Sequence, residues 1–157
     1  MTVQEITPQQ AHERLNSGED VLYIDVRTEK EFAGGHPAGA VNIPVAFPDP
    51  GRGMVMNPDF VKVVESHFPK GKEIIVGCQA GPRSNAAAGL LERAGYLKVS
   101  NMLGGFGGMR DPGGKILAPG WSSLGLPVSD DNGEGVSYQS LVAQLKSESS
   151  KLDRESC

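Results

Sequence analysis

The sequence predicts an α/β domain built around a mostly parallel sheet. Three observations indicate this class: short apolar runs recur along the chain, segments with helical spacing lie between them, and glycine-bearing loops follow the runs. Strands that alternate with helices in this way are typical of parallel sheets, because a crossover has to connect neighbouring parallel strands. The chain of 157 residues suits one domain with a substantial core.

The first half of the chain contains a clear start signal for a helix. Thr7 is a suitable N-cap, Pro8 fits the first helical position, and Gln10 can close a capping box. This helix is expected to end near Asn16, ahead of Gly18. The next expected elements are a buried strand at 21–24 that leads into Asp25-Val26-Arg27, a helical turn at 28–32 and a short strand at 41–43.

The second half continues the alternation after a predicted loop. Residues 46–56 hold two prolines and two glycines with little periodicity, so we expect a loop there. A helix is expected after Asn57-Pro58, with Phe60 and Val64 on one face. The remaining expected elements are a strand at 73–77, an alanine-rich helix that ends at Gly95 and a strand at 98–103 that leads into Gly104-Gly105.

The last part of the chain differs in character from the rest. Residues 129–135 are acidic and contain glycine, which is typical of a polar linker. Apolar residues then recur at roughly helical spacing up to Leu152, so we expect a weak amphipathic helix or a tail that is disordered when alone. We therefore predict a domain at 1–128 and a tail at 129–157.

Cys78 is the residue with the most informative surroundings. It follows the apolar run 73–77 and opens a glycine-bearing loop that leads to Arg83 and a predicted helix start. Such a loop directs backbone N–H groups inward, and the helix N-terminus adds positive partial charge. Both favour the thiolate, the nucleophilic form of cysteine, and Arg83 adds a full positive charge. We therefore interpret Cys78 as a reactive thiol rather than a buried structural cysteine, the more common role.

Composition argues against several functional classes. The net charge of −4 provides no basic surface for nucleic acid, and the three histidines lack the spacing of metal ligands. The two cysteines, Cys78 and Cys157, form no disulfide framework, which favours a reducing compartment. We expect no signal peptide, and no apolar run approaches a membrane span. The expected protein is a cytoplasmic monomer without a metal ion, cofactor, nucleic-acid partner or membrane contact.

Several segments together resemble the rhodanese-like sulfurtransferases, in particular their plant-type single-domain members. The match covers roughly residues 5–128, and these motifs carry it: Asp25-Val26-Arg27 followed by Glu31-Phe32, Gly35-His36-Pro37-Ala38-Gly39-Ala40, the Cys78 loop, Gly104-Gly105, and Gly125-Leu126-Pro127-Val128 after Trp121. Pro37 departs from the family by replacing an aliphatic residue, and an insertion at about 107–120 separates Gly104-Gly105 from Trp121. The resemblance implies a central, mostly parallel sheet flanked by helices on both faces.

The resemblance also implies a mechanism. The Cys78 thiolate would take the outer sulfur of thiosulfate or a similar donor, and the resulting persulfide would pass it to cyanide or to a thiol, including a protein thiol. Arg83 would attract the anionic donor. The other residues implied in binding the transferred sulfur belong to the same loop: Gln79, Ala80, Gly81 and Ser84.

Other prominent residues are expected to support the fold. Asp25 and Arg27 are expected to brace the strand ends as an ion pair. Gly104 and Gly105 suit a close approach of backbones or unusual dihedral angles. His36 is expected to be a hydrogen-bonded structural histidine and Trp121 a core residue. Cys157 is expected to be a thiol without a role.

Two other functions stay open at this point. Phosphatases and arsenate reductases also place Cys and Arg in a loop before a helix, with a longer spacing that makes room for a tetrahedral oxyanion. The span between Cys78 and Arg83 is shorter and contains only Gln79, Ala80, Gly81 and Pro82. The second alternative is a non-catalytic rhodanese-like module that binds or regulates a partner. Because Cys78 and Arg83 are both present, sulfur transfer is the favoured function.

Overall fold

The structure is a computed structural model that describes residues 3–80 and 82–144. Its helices are α1 (Pro8–Leu15), α2 (Glu29–Ala33), α3 (Phe60–His67), α4 (Pro82–Arg93) and α5 (residues 138–144). Its strands are β1 (Gln4–Ile6), β2 (Val21–Asp25), β3 (His36–Pro37), β4 (Val41–Asn42), β5 (Ala46–Asp49), β6 (Gly53–Met56), β7 (Glu73–Gly77), β8 (Lys98–Met102), β9 (Met109–Arg110), β10 (Ile116–Ala118) and β11 (Val128–Ser129).

The main sheet has five strands in the order β1-β8-β7-β2-β4. Every neighbouring pair in it is parallel, and β7 lies in the centre between β8 and β2. The register places Asp25 beside Gly77, so the carboxyl ends of β2 and β7 meet at one edge. The predicted α/β class with a parallel sheet is confirmed.

Apolar clusters cover the two faces of this sheet. Side chains alternate along each strand, so Ile24 joins the cluster that contains α3 and α4, whereas Tyr23 joins the cluster that contains α1 and α2. On β7, Ile74 and Val76 face the first cluster and Ile75 faces the second. Helices therefore flank the sheet on both faces, as the family resemblance implies.

Local signals determine the starts of the first two helices. The predicted capping box of α1 is present: the Gln10 N–H donates to Thr7 Oγ1 at 3.2 Å, and the Thr7 N–H donates to Gln10 Oε1 at 2.9 Å. α2 begins with the same device, in which Thr28 is the N-cap and Glu31 the reciprocal acceptor. These reciprocal bonds satisfy N–H groups that have no partner within the helix.

Residues 46–56 form an antiparallel hairpin rather than the expected loop. Ala46 pairs with Met56, and Asp49 pairs with Gly53. Asp49 Oδ1 organises the turn by accepting hydrogen bonds from backbone N–H groups of the turn itself. The expectation was wrong because Pro48 and Gly53 lie within the strands themselves and mask the strand pattern.

The predicted insertion contains a second hairpin, formed by β9 and β10. Its turn is closed by Asp111, whose Oδ1 accepts a hydrogen bond from the Lys115 N–H at 2.9 Å. At its base, the Gly108 N–H donates to the Gly104 carbonyl at 2.8 Å. The hairpin therefore stands on the glycine-rich segment that follows β8. This hairpin of residues 107–120 is called the insertion hairpin below.

Helix α5 requires a correction to the predicted tail. The amphipathic helix is present, but Tyr138 and Leu141 are only 9% and 3% exposed and pack in the α3/α4 cluster. Asn57 Nδ2 donates to Tyr138 Oη at 3.0 Å, and the His67 ring lies 2.9 Å from the Leu141 carbonyl. The physical reason is that this packing removes the apolar surface of the helix from water. The remainder of the predicted tail, residues 145–157 with Leu152 and Cys157, lies outside the described residues.

Among residues 3–80 and 82–144, the helices are all too short or too polar to cross a membrane.

Candidate active site

Cys78 lies directly after the central strand β7, at the carboxyl edge of the sheet. Its side chain is 1% exposed and belongs to the α3/α4 cluster. The neighbouring loop residues are more open, since Gln79 is exposed and Ala80 and Arg83 are half-buried. The environment of Cys78 is therefore more open on the side of the loop than on the side of the core.

Gly77 gives the loop its close approach to the neighbouring strand. A Cβ atom at Gly77 would lie 1.7 Å from the hydroxyl oxygen of Tyr23, which is itself 1% exposed. Any larger residue would collide with this buried phenol. Glycine at position 77 thus lets the end of β7 lie close to Tyr23, directly before Cys78.

The segment after β8, residues 104–107, holds the Cys78 loop in place through backbone contacts. The Phe106 N–H donates to the Cys78 carbonyl at 2.7 Å, and the Gly107 N–H donates to the Gln79 carbonyl at 3.0 Å. A Cβ atom at Gly105 would lie 2.3 Å from the Cys78 carbonyl oxygen, and Gly105 has a φ of 61°. Glycine is required there both for space and for the left-handed backbone.

A buried ion pair lies beside the loop at the end of β2. Arg27 Nη2 and Asp25 Oδ2 are 2.8 Å apart, and their side chains are only 4% and 1% exposed. Arg27 Nε and the Arg27 backbone N–H also donate to Asp25 Oδ1, each at 3.0 Å. Such a pair is strongly coupled to the fold, because removal of one partner leaves the other charge buried and uncompensated.

Arg27 connects this ion pair to the Cys78 loop. Its Nη1 donates to Gln79 Oε1 at 3.2 Å, and its Nη2 donates to the Gly35 carbonyl at 2.7 Å. The guanidinium also lies over the Phe106 ring, 4.5 Å from the centroid, which is a cation–π arrangement. Arg27 therefore contacts the loop directly at Gln79 and also contacts the two segments beside it, at Gly35 and Phe106.

Arg83 has a partner that the sequence did not suggest. Its Nη1 and Nη2 donate to Glu31 Oε1 at 2.6 Å and to Oε2 at 3.0 Å, a bidentate pair. The Glu31 carboxylate is oriented by Thr28, whose N–H and hydroxyl both donate to Oε1. The pair is partly open to solvent, with 24% of the Arg83 and 33% of the Glu31 side chain exposed.

The contact between Arg83 and Glu31 shifts the pKa values of both side chains. Hydrogen bonds from Arg83, reinforced by those from Thr28, lower the pKa of Glu31 from 4.5 to about 2. The same bond raises the pKa of Arg83, and the nearby charges of Cys78 and Asp25 act in that direction too. Burial raises the pKa of the Tyr23 phenol well above its ordinary value. At neutral pH, Glu31 is an anion, Arg83 a cation and Tyr23 a neutral hydroxyl.

The structure brings most of the sequence-predicted residues to this edge. The residues found at the loop, as described above, are Asp25, Arg27, Gln79 and Arg83. Gly104-Gly105 leads into the segment that holds the loop through backbone contacts. Ser84 is fully buried in the first turn of α4, and Ala80 is half-buried. Gly81 lies outside the described residues.

Sequence reasoning assigned no role at this site to three residues that the structure places there: Tyr23, Glu31 and Phe106. The Thr28-x-x-Glu31 spacing is a capping signal and identifies Glu31 as the start of a helix, but it carries no information about Arg83. The predictions for His36 and Trp121 are confirmed. His36 Nδ1 lies 2.8 Å from the Phe32 carbonyl, and Trp121 is 1% exposed in the α1/α2 cluster.

No group of three or more His, Cys, Asp or Glu side chains in the described part of the chain is arranged to hold a metal ion. A cavity of about 580 Å³ lies at the opposite, amino edge of the sheet, where Arg14, Glu73, Lys98 and Ser100 line it. Because this cavity is remote from Cys78, it has no part in the candidate site.

The fold and the loop together define an α/β protein with a cysteine at the carboxyl edge of a parallel sheet. The model of the family described as the rhodanese-like domain matches residues 7–111. The chain belongs to the rhodanese-like domain family.

Known proteins similar to this chain include plant and bacterial members. Thiosulfate sulfurtransferase 16, chloroplastic, from Arabidopsis thaliana is 41% identical over 119 residues, which are 75% of this chain and 86% of that protein. Senescence-associated protein DIN1 from Raphanus sativus is 46% identical over 84 residues, 54% of this chain but only 45% of that protein. A crystal structure of Rv0390 from M. tuberculosis has a TM-score of 0.70 and 30% identity, covering 83% of this chain and 100% of that chain.

Proposed function

We propose that this protein is a rhodanese-type thiosulfate sulfurtransferase that acts through a persulfide on Cys78. The observation that carries the proposal is the position of Cys78, between the end of the central strand β7 and the first turn of α4. Relatives named thiosulfate sulfurtransferase support the substrate class, including the 41% identical protein from Arabidopsis thaliana and GlpE from Haemophilus influenzae, 35% identical over 109 residues.

In the first half-reaction, the Cys78 thiolate attacks the outer sulfur of thiosulfate. A bond forms between Sγ and that sulfur, the sulfur–sulfur bond of thiosulfate breaks, and its electron pair leaves with sulfite. The products are a Cys78 persulfide anion and sulfite, so atoms and charge balance without an oxidant or reductant. This is covalent catalysis by a cysteine nucleophile.

In the second half-reaction, an acceptor nucleophile attacks the terminal sulfur of the persulfide. Cyanide would leave as thiocyanate, and a thiolate would leave as a new persulfide, while the electron pair of the broken bond returns to Cys78 as the thiolate. The physiological acceptor is proposed to be a thiol of a small molecule or a protein. The enzyme alternates between two forms, the thiolate and the persulfide, and sulfite leaves before the acceptor reacts, so ping-pong kinetics are expected.

The loop geometry supports anion binding next to Cys78. The carbonyls of Cys78 and Gln79 accept bonds from Phe106 and Gly107. Because the C=O and N–H of a trans peptide point in opposite directions, the N–H groups of Gln79 and Ala80 face away from that segment. They are thus available on the other side of the loop, where the first turn of α4 adds positive partial charge.

Intact mass spectrometry after incubation with thiosulfate tests the proposal. The unmodified protein is expected to gain the mass of one sulfur atom, and Cys78→Ser is expected to gain none, because a serine hydroxyl supplies no thiolate. Cys157→Ser serves as the matched control and should gain the sulfur as the unmodified protein does.

Other results would point to the other two functions. Absence of any mass gain in the folded, unmodified protein would contradict sulfur transfer and favour a non-catalytic binding module. Hydrolysis of an aryl phosphate that disappears in Cys78→Ser would favour a phosphatase. The cytoplasmic location, the monomeric state and the absence of a cofactor remain parts of this proposal that rest on the sequence.

A further inference from the structure

Both arginines beside the Cys78 loop are paired with carboxylates. Arg27 is held by Asp25, and Arg83 is held by Glu31. The two guanidinium groups therefore bring little net positive charge to the loop, in contrast to the expectation that Arg83 is free to attract an anion. Because each pair is close to neutral, the two pairs do little to offset the negative charges of the Cys78 thiolate and of an anionic donor.

We propose that Glu31 is a positioning residue that sets the charge preference of the site for its sulfur donor. It does so by neutralising and orienting Arg83. The inference rests on the proposed sulfur transfer and adds to it: the site would favour donors of lower charge, such as organic thiosulfonates, relative to the dianion thiosulfate.

The geometry holds Arg83 firmly in this arrangement. The bidentate contact uses both terminal nitrogens of the guanidinium, with distances of 2.6 Å and 3.0 Å to the two Glu31 oxygens. Glu31 cannot turn away easily, because the Thr28 N–H holds Oε1 at 3.2 Å and the Thr28 hydroxyl holds it at 3.1 Å. The capping box of α2 thus fixes the carboxylate, and the carboxylate fixes Arg83.

Arg83 lies in the first turn of α4, the helix that directly follows the Cys78 loop, so its charge is near the nucleophile. Loading with thiosulfate brings a dianion to a thiolate, whereas loading with a thiosulfonate brings a monoanion. A fixed negative charge near the site opposes the first about twice as strongly as the second, because Coulomb energy scales with the product of the charges. With a pKa of about 2, Glu31 carries that charge throughout the neutral range.

Substitution of Glu31 by glutamine removes the charge and keeps the helix start. A glutamine at this position still accepts from the Thr28 N–H in a capping box, so α2 is expected to form. Glu29→Gln is the matched control, because it removes the same charge from the same helix at an exposed position. Glu31→Asp is the second variant, since it retains the charge on a shorter side chain.

The measurement is the rate of sulfur loading on Cys78 in a single turnover, with thiosulfate and with benzenethiosulfonate. Glu31→Gln is expected to raise the thiosulfate rate relative to the thiosulfonate rate by about threefold or more, an effect that 1 M salt largely abolishes. Glu29→Gln and Glu31→Asp should keep the ratio of the unmodified protein within about twofold.

Two results would overturn the inference. One is a Glu31→Gln ratio no different from that of Glu29→Gln. The other is an equal loss of loading with both donors in Glu31→Gln and Glu31→Asp, which would mean that Glu31 only supports the structure. These results differ from failure of the proposed function, in which the unmodified protein would accept sulfur from neither donor.

Discussion

The insertion hairpin and helix α5 both lie largely or wholly beyond the family match, which ends at residue 111, but the fold treats them differently. The hairpin exposes its large apolar side chains, with Ile116 at 45% and Leu117 at 59% exposure. Helix α5 buries its own, with Tyr138 at 9% and Leu141 at 3%. Composition does not separate the two segments, because each carries apolar residues among polar ones.

The partners of each segment explain the difference. The hairpin stands on Gly104 and Gly108, next to the segment that holds the Cys78 loop, and its apolar residues find no layer to pack against. Helix α5 lies against α3, where Asn57 and His67 hydrogen-bond to it. The comparison indicates that α5 contributes to stability. For the hairpin, we predict an effect on access to the Cys78 loop rather than on stability.

Deletion of residues 130–157 should produce the largest effect. It removes Tyr138 and Leu141 from the core, and each buried large side chain contributes about 1.5–3 kcal/mol, so the free energy of unfolding should fall by about 4 kcal/mol. This differs from the expectation from sequence, which separates a tail at 129–157 from the domain. Truncation after residue 144 is the control, because it keeps both side chains. Urea denaturation measures both, and equal stability of the two deletions would contradict a core role for α5.

The same substitution, leucine to alanine, at one position in each segment gives a sharper test with a smaller expected effect. Leu141→Ala should lower the free energy of unfolding by about 3 kcal/mol, because it leaves a cavity in the core. Leu117→Ala, in the insertion hairpin, should change it by less than about 0.5 kcal/mol, because that side chain is exposed. Melting curves or urea midpoints decide this, and similar losses for the two variants would remove the distinction between the segments.

A shortened insertion hairpin should have the smallest effect on stability. Replacement of residues 110–117 by an Asn-Gly turn should change the free energy of unfolding by less than about 1 kcal/mol, because all the residues removed are exposed except the half-buried Asp111. Because the hairpin adjoins the segment that holds the Cys78 loop, loss of its two cations, Arg110 and Lys115, should still change the apparent affinity for donor or acceptor by about twofold or more. Steady-state kinetics measure this, and unchanged kinetic constants would show that the hairpin plays no part in access.

The candidate nucleophile and its loop were predictable because their signals are local. An apolar run followed by Cys78, a glycine and Arg83 describes a strand, a loop and a helix start within a few residues. The same holds for α1, whose capping box involves only Thr7 and Gln10. Each of these inferences depends on neighbours in the chain, and the structure retains them.

The contacts that tune the loop were not predictable from the sequence. Glu31 and Arg83 are 52 positions apart, and so are Arg27 and Gln79. No periodicity or spacing relates residues at such a distance, and only the parallel pairing of β2 with β7 brings them together. Likewise, β1 has only three residues, of which Ile6 alone is buried, so the strand carries too little pattern of its own to be predicted. It is defined by its pairing with β8.

The sequence by itself determined the α/β class, the helix starts and the position of Cys78 after a buried strand, because short-range patterns encode these features. Only the tertiary structure decided that Arg83 is paired, that Arg27 contacts the loop and that α5 completes the core. The physical reason is that charge balance and burial depend on which residues lie close together in three dimensions. That proximity arises when the sheet assembles, and the order of residues along the chain does not reveal it.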